Sequence, residues 1–70
     1  MLKITRKAEY ALIALRHLNN IKDGELATVK EISTQYGIPQ ELLAKALQQL
    51  ARAKLIEATK GPSGGYKLVT

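Results

Sequence analysis

The sequence predicts a mainly α-helical fold with a small β-hairpin, of the α+β class, and three observations support this. The 70 residues suffice for one domain with one small core. The aromatic residues are three Tyr, with no Phe or Trp, so aliphatic side chains must build that core. Apolar residues recur at helical spacing in three segments, and a glycine-rich stretch near the end separates two short segments with strand-like alternation.

The first helix is predicted over residues 5–20, because Thr5 is a favourable N-cap and two asparagines precede a loop. This helix has two apolar stripes at helical spacing. One consists of Ala8, Ala11, Leu12, Leu15 and Leu18, and the other of Tyr10, Ile13, Ala14, His17 and Ile21. Since the surface helix of a monomer usually has one such stripe, we expect a partner chain or a further segment to cover the second.

The second helix is predicted over residues 29–36. Thr28 and Glu31 have the spacing of a capping box, in which each side chain accepts from the backbone N–H of the other residue. Gly37 is expected to end the helix in the left-handed conformation. The residues expected to face inward are Val29, Ile32 and Tyr36.

The third helix is predicted over residues 39–53, with Pro39 in its first turn, where the missing N–H costs nothing. Its inward stripe is Leu43, Ala46, Leu47 and Leu50. Its opposite stripe is small, polar or basic and consists of Glu41, Ala44, Lys45, Gln48 and Arg52. Two strands are predicted to follow, at 55–58 and 66–69, with the hairpin tip at 59–65.

This element order is that of a winged helix-turn-helix, with residues 1–70 as one domain and 55–69 as the wing. Ser33 is small where the second and third helices would cross, and the outer stripe of the third helix would be free to enter a DNA major groove. Glycines at the wing tip would let the backbone approach a minor groove, with Lys60 leading. A turn that needs positive φ angles explains those glycines equally well.

The charge distribution and the N-terminal residues limit which kinds of partner and which location are expected. The net charge is +5, and both ends of the chain are basic while the middle is balanced. If both ends reach one surface, that surface attracts polyanions such as nucleic acid. The N-terminal residues MLKITRKAEY carry charges where a signal peptide needs an apolar stretch, which predicts a cytoplasmic protein.

Three segments resemble the IscR-like winged-helix regulators of bacteria, also called the BadM type. The segments are ITRKAEYALIAL at 4–15, VKEISTQYGIPQELLAKALQQLARAKLI at 29–56 and the wing sequence KGPSGGYKL at 60–68. The resemblance implies a homodimeric transcription regulator, such as a repressor, that binds double-stranded DNA with its third helix in the major groove and its wing at the minor groove.

The resemblance also implies which residues contact DNA. These are Thr5, Lys7 and Tyr10 at the DNA backbone, Gln40, Glu41, Ala44 and Lys45 at the bases, and Lys60 and Gly61 in the minor groove. We add Thr28, Gln48, Arg52, Pro62, Ser63 and Gly64 to the predicted DNA-binding residues.

The chain departs from this family at three positions. The wing usually begins with Arg, and Lys60 lacks the planar fork of Arg, so base selectivity at the wing is expected to be weaker. The residue before Leu55 is usually Gly, so Lys54 must adopt an uncommon backbone angle or relax the helix end. Many members have a longer polar residue at the position of Ala44, so their base preference does not transfer.

Members of the family are generally longer, and their remaining part contains a dimerisation helix and, in many, three cysteines that bind an iron–sulfur cluster. This sequence contains no cysteine, so we expect no cofactor and no disulfide in this chain. We interpret the chain as the DNA-binding part of such a regulator, either a shortened or a natural short form. Dimerisation is expected through the first helix, through a C-terminal helix absent here, or through both.

No enzyme is indicated, and no metal, membrane or small-molecule substrate is expected. Glu31 has a predicted capping role, and Glu41 lies in a first helical turn, where a carboxylate is favoured. His17 is the single histidine and has no expected carboxylate partner, so we interpret it as an interface or surface residue. The main alternative is a winged-helix module that binds protein and not DNA. RNA binding has weaker support, since few aromatic residues are free to stack on bases.

Overall fold

The computed structural model describes residues 4–22, 24–62 and 64–69. The elements, in chain order, are α1 (Arg6–Asn20), α2 (Val29–Tyr36), α3 (Gln40–Arg52), β1 (Ile56–Thr59) and β2 (Gly65–Leu68). The two strands pair antiparallel, so three helices and a hairpin form the winged helix-turn-helix that the sequence predicts. Among the described residues, no helix is long and apolar enough to cross a membrane.

One side of α1 packs against the core, and another side is not covered by any of the described residues. Its N-cap is Thr5, whose Oγ1 accepts a hydrogen bond from the N–H of Ala8 at 3.1 Å. Its buried residues are Ala14, His17 and Leu18. Leu12, by contrast, is 56% exposed, and Ala8 is exposed one turn before it. The partner expected to cover this outer side stays a prediction.

The turn between α2 and α3 is built around Gly37. This residue has a φ of 66°, in the left-handed region that favours glycine, and its N–H donates to the carbonyl oxygen of Ser33. The N–H of Ile38 donates to the same carbonyl at 3.0 Å. Because Ser33 and Ile38 are both buried, the turn fixes the start of α3 against α2.

The core is aliphatic and draws on the helices and the hairpin together. Its largest fully buried side chains are Ile32, Leu43, Leu47 and Ile56. Full burial of each such side chain stabilises the fold by roughly 1.5–3 kcal/mol. Because these four residues come from α2, α3 and β1, loss of any one of these elements would open the whole core.

The predicted strands are wrong by one residue. The sequence predicts 55–58 and 66–69, whereas β1 and β2 pair Ile56 with Leu68 and Thr59 with Gly65. The hairpin tip is therefore residues 60–64, because Thr59 and Gly65 belong to the ladder. Leu55 takes part in both elements, because its N–H completes the end of α3 while its carbonyl accepts from the N–H of Val69 at 3.1 Å, just beyond the paired strands.

Lys54 and Leu55 form that helix end. The N–H of Leu55 donates to the carbonyl of Leu50 at 3.0 Å, and Lys54 has a φ of 62°. Of the two outcomes predicted for Lys54, the uncommon backbone angle is the one observed. At the other end of α3, Pro39 is the N-cap, with a ψ of 129°, and precedes the first turn rather than lying within it.

A third backbone segment joins the hairpin. The N–H of Ala27 donates to the carbonyl of Tyr66 at 3.0 Å, and the N–H of Tyr66 donates back at 2.8 Å. Ala27 is fully buried. The sequence gives no sign of this bridge, because a pairing of single residues leaves no periodic pattern.

The interpretation of His17 as an interface or surface residue is wrong. His17 is 8% exposed, and its Nε2 lies 3.2 Å from Oε2 of Glu31. The capping box is therefore formed only in part among the described residues. Thr28 Oγ1 accepts from the N–H of Glu31 at 3.0 Å, but the Glu31 carboxylate accepts from His17 instead of from the Thr28 backbone. Tyr36, predicted to face inward, is 41% exposed, and its hydroxyl lies 3.0 Å from His17 Nδ1.

Candidate nucleic-acid interface

The outer face of α3 presents most of the predicted base-facing residues to solvent. The exposed residues are Gln40, Glu41, Lys45, Gln48 and Arg52, and Ala44 is half-buried. The inner face is fixed by the buried Leu43, Ala46, Leu47 and Leu50, as predicted. Amide, carboxylate and cationic groups, which this outer face combines, are the groups that distinguish base pairs in the major groove.

The start of α1 lies beside α3 and forms a cleft with it. The cleft has a volume of about 220 Å³ and is lined by Arg6, Lys7, Tyr10, Leu42 and Lys45. The structure thus brings together three predicted residues, Lys7, Tyr10 and Lys45, from two helices. Arg6 and Leu42 are not among the DNA-binding residues predicted from the sequence. Arg6 had a signal in its position next to Lys7, whereas Leu42 had none.

Thr5 and Thr28 are both exposed N-caps, and capping already accounts for their residue type. Each hydroxyl accepts one backbone N–H and still has its own hydrogen to donate. The N-terminus of a helix also favours an anion such as phosphate. Thr28 follows Ala27, which pairs with Tyr66 of β2, so the cap of α2 lies beside the hairpin.

The wing tip exposes backbone and one cation. Lys60, Gly61 and Pro62 are exposed and Gly64 is half-buried, while Ser63 lies outside the described residues. Glycines at such a tip let the backbone approach a surface closely, and the DNA minor groove is about 6 Å wide.

Two contacts within the protein account for part of the glycine content of the wing. A Cβ on Gly64 would overlap the carbonyl oxygen of Thr59. A Cβ on Gly65 would lie 2.9 Å from the carbonyl oxygen of Ala27, closer than real Cβ atoms approach. Gly61 is different, because its φ of 120° requires glycine while the space around it is open.

The charges of the candidate interface are mostly free of ion pairs. No described carboxylate pairs with the cations Lys7, Lys45, Arg52 and Lys60. Arg6 Nη1 lies 3.7 Å from Glu9 Oε2, but both side chains are exposed and such a pair contributes little to stability. These cations are therefore available to a polyanion.

Helix-turn-helix domains with a polar face on the third helix include many DNA-binding transcription regulators. Comparison with models of protein families identifies the family to which this chain belongs. The model of the Rrf2 family, described as "Iron-dependent Transcriptional regulator", matches residues 4–70. Since this match covers nearly the whole chain, the chain belongs to the Rrf2 family, which consists of transcriptional regulators and not of enzymes.

Solved structures of longer proteins contain the same fold. The structure of CymR (YrzC), the global cysteine regulator of B. subtilis, is 28% identical with a TM-score of 0.91, and the match covers 97% of this chain and 53% of that one. T. potens IscR is 26% identical with a TM-score of 0.86, over 99% of this chain and 50% of that one. The oxidised form of Staphylococcus aureus CymR is 26% identical with a TM-score of 0.87, over 99% and 56%. The chain thus spans about half the length of these relatives.

The family description names iron, and the residues of this chain do not fit an iron centre. Within the described ranges, no three His, Asp or Glu side chains lie together as metal ligands. The sequence contains no cysteine to ligate a cluster.

Proposed function

We propose that this chain binds double-stranded DNA with sequence preference, as the DNA-binding part of a bacterial transcription regulator. In this proposal α3 enters the major groove and the wing lies at the minor groove. The observation that carries the proposal is the cleft that Lys7 of α1 and Lys45 of α3 both line, beside an outer face of α3 whose polar side chains are exposed.

The dimensions and charges support this arrangement. An α-helix with its side chains is about 10–12 Å across, and the major groove is about 12 Å wide. Lys7 at the start of α1 would then lie against a phosphate, and Lys60 at the wing tip would lie at the minor groove, where the potential of the phosphates is strongly negative. Phosphate contacts of this kind fix position and orientation, and Gln40, Glu41 and Lys45 would read bases.

We also propose that the regulator acts as a homodimer at the bacterial nucleoid and represses by occupying its DNA site. The outer side of α1 supports a dimer, since Leu12 is 56% exposed there and Ala8 is exposed beside it. A dimer would read two half-sites about one helical turn apart.

The test is a fluorescence-anisotropy titration with a pool of random duplexes at about 50 mM and about 200 mM salt. We expect binding that weakens steeply as salt rises, because phosphate contacts release counterions. Lys60→Ala should weaken binding to all sequences and reduce the slope of log K against log salt by about one. Lys22→Ala is the matched control, because it removes the same charge at the opposite end of α1 from the cleft.

Absence of binding at low salt would count against the proposal, provided that two copies joined by a flexible linker also fail to bind. The alternative, a winged-helix module that binds protein, predicts that outcome. Equal losses of DNA affinity in Lys60→Ala and Lys22→Ala would contradict the proposed position of the wing at the minor groove.

A further inference from the structure

Leu42 is an apolar side chain in a polar surface. It is 44% exposed, whereas the other leucines of α3 are buried in the core. It lines the cleft together with three cations, Arg6, Lys7 and Lys45. A single exposed leucine needs no explanation by itself, but this one lies between the cations of α1 and the outer face of α3.

The position of Leu42 around α3 determines which part of a DNA groove it would face. At 3.6 residues per turn, Leu42 is about 60° around α3 from Lys45, on the side that faces the start of α1. If α3 lies in the major groove, this side faces the groove wall, where the phosphates of one strand run. The C5-methyl of thymine is the apolar group that the major groove presents to a protein. It lies near the edge of the groove, close to the backbone of its own strand.

We propose that Leu42 is a specificity residue that contacts the C5-methyl of a thymine, while Arg6 and Lys7 hold a phosphate of the same strand. This inference rests on the proposed function, in which α3 enters the major groove. The cations anchor the backbone beside the cleft, and the apolar side chain then favours the one base whose groove edge is apolar at that point. A cytosine there would leave Leu42 without an apolar contact.

The test uses a duplex that the wild-type chain selects from a random pool. Each thymine is replaced in turn by deoxyuridine, which removes the methyl and leaves base pairing unchanged. We expect one thymine in each half-site whose replacement weakens binding by about fourfold, which corresponds to about 0.8 kcal/mol for one buried methyl. For Leu42→Ala, the same replacement should change Kd by less than about 1.5-fold, since contacting groups are not additive.

Two control variants separate the apolar contact from general weakening. Arg6→Ala should weaken binding to the thymine and uracil duplexes equally, since a phosphate contact carries no base information. Leu55→Ala removes another exposed leucine, which is 48% exposed and outside the cleft. In this variant, replacement of the thymine by deoxyuridine should weaken binding as much as it does for the wild type. Circular dichroism melts of each variant confirm that the fold is retained.

The outcomes distinguish this inference from the proposed function. If the wild-type chain binds the duplex but no replacement of a thymine by deoxyuridine weakens binding, the role of Leu42 is overturned and DNA binding still holds. A Leu42→Ala variant that remains as sensitive to uracil as the wild type overturns it as well. Failure of both the wild-type chain and two copies joined by a flexible linker to bind any duplex overturns both proposals together.

Discussion

The imidazole of His17 is hydrogen-bonded to both ends of α2. Its Nε2 lies 3.2 Å from Oε2 of Glu31, in the first turn of α2, and its Nδ1 lies 3.0 Å from the hydroxyl oxygen of Tyr36, in the last turn. A carboxylate can only accept, so Nε2–H donates to Glu31 and, in the neutral ring, Nδ1 accepts from the Tyr36 hydroxyl. The rings of His17 and Tyr36 also meet edge to face, with centroids 5.5 Å apart. A single buried side chain thus fixes α2 against α1.

Replacement of His17 by Leu should lower the free energy of unfolding by about 1–2 kcal/mol, because two hydrogen bonds to a buried group are lost. Tyr36→Phe should cost about 0.5–1.5 kcal/mol, since it removes one hydroxyl and keeps the ring. Urea denaturation followed by circular dichroism measures both. Glu31→Gln is the matched control, since its side-chain oxygen can still accept, and it should cost least. A His17→Leu protein as stable as the wild type would show that the network contributes nothing.

Replacement of Lys54 by Gly should have the opposite effect on stability. The φ of 62° at Lys54 places a residue with a Cβ in the left-handed region, which costs roughly 1–2 kcal/mol, whereas glycine adopts that region freely. Glycine also makes the unfolded chain more flexible, which offsets about 0.5–1 kcal/mol. Lys54→Gly should therefore raise stability by about 0.5–1 kcal/mol, which in a domain of this size corresponds to several degrees in Tm.

The control for this prediction is Lys54→Ala, which removes the same charge and keeps the Cβ. Its Tm should stay at or below that of the wild type. If both variants raised Tm equally, the gain would come from relief of charge repulsion in a chain of net charge +5 and not from the backbone.

The elements that the sequence predicts well are those with local signals. Thr5 and Thr28 mark helix starts, and Gly37 marks a helix end, because each cap involves residues within one turn of it. The bridge between Ala27 and Tyr66 could not be predicted in this way, since the two residues are distant in sequence and a pairing of single residues has no local signal.

The residues of the candidate site differ in the same way, since some have a local sequence signal and others do not. The outer face of α3 follows from helical periodicity alone, so the sequence was enough to place Lys45 and Gln48 on it. The cleft required the packing of α1 on α3, and Leu42 therefore carried no sequence signal. Periodicity placed His17 on an apolar stripe but gave no sign of Glu31, which reaches it from another helix.

Gly64 tests whether the wing tip depends on close backbone contact. In Gly64→Ala the new Cβ overlaps the carbonyl oxygen of Thr59, so the tip must shift, and overpacking of this kind costs typically about 1–3 kcal/mol. The amide of residue 64 donates to the carbonyl oxygen of Gly61 at 3.0 Å in the wild type. Its hydrogen exchange should become faster in the variant. Pro62→Ala is the control, because Pro62 is exposed at the same tip and should leave that exchange rate unchanged. Equal protection in both variants would contradict the contact.

Two lysines allow base reading to be separated from phosphate binding. Lys45 is exposed on the outer face of α3, whereas Lys60 is exposed at the wing tip, and each carries one positive charge. Lys45→Ala should change the preferred base at one or two positions, with a loss of about 1–3 kcal/mol against the wild-type site.

Lys60→Ala should weaken the selected and the random duplex by similar factors, since a lysine at the minor groove gains mainly from the negative potential of the phosphates, which every sequence provides. The measurement is Kd on both duplexes for the wild type, for each lysine variant and for Gln40→Ala, at one salt concentration. The preference for the selected over the random duplex should fall for Lys45→Ala and Gln40→Ala and stay constant for Lys60→Ala. A constant preference in all three variants would mean that the face of α3 contacts only the DNA backbone, because only base contacts distinguish one sequence from another.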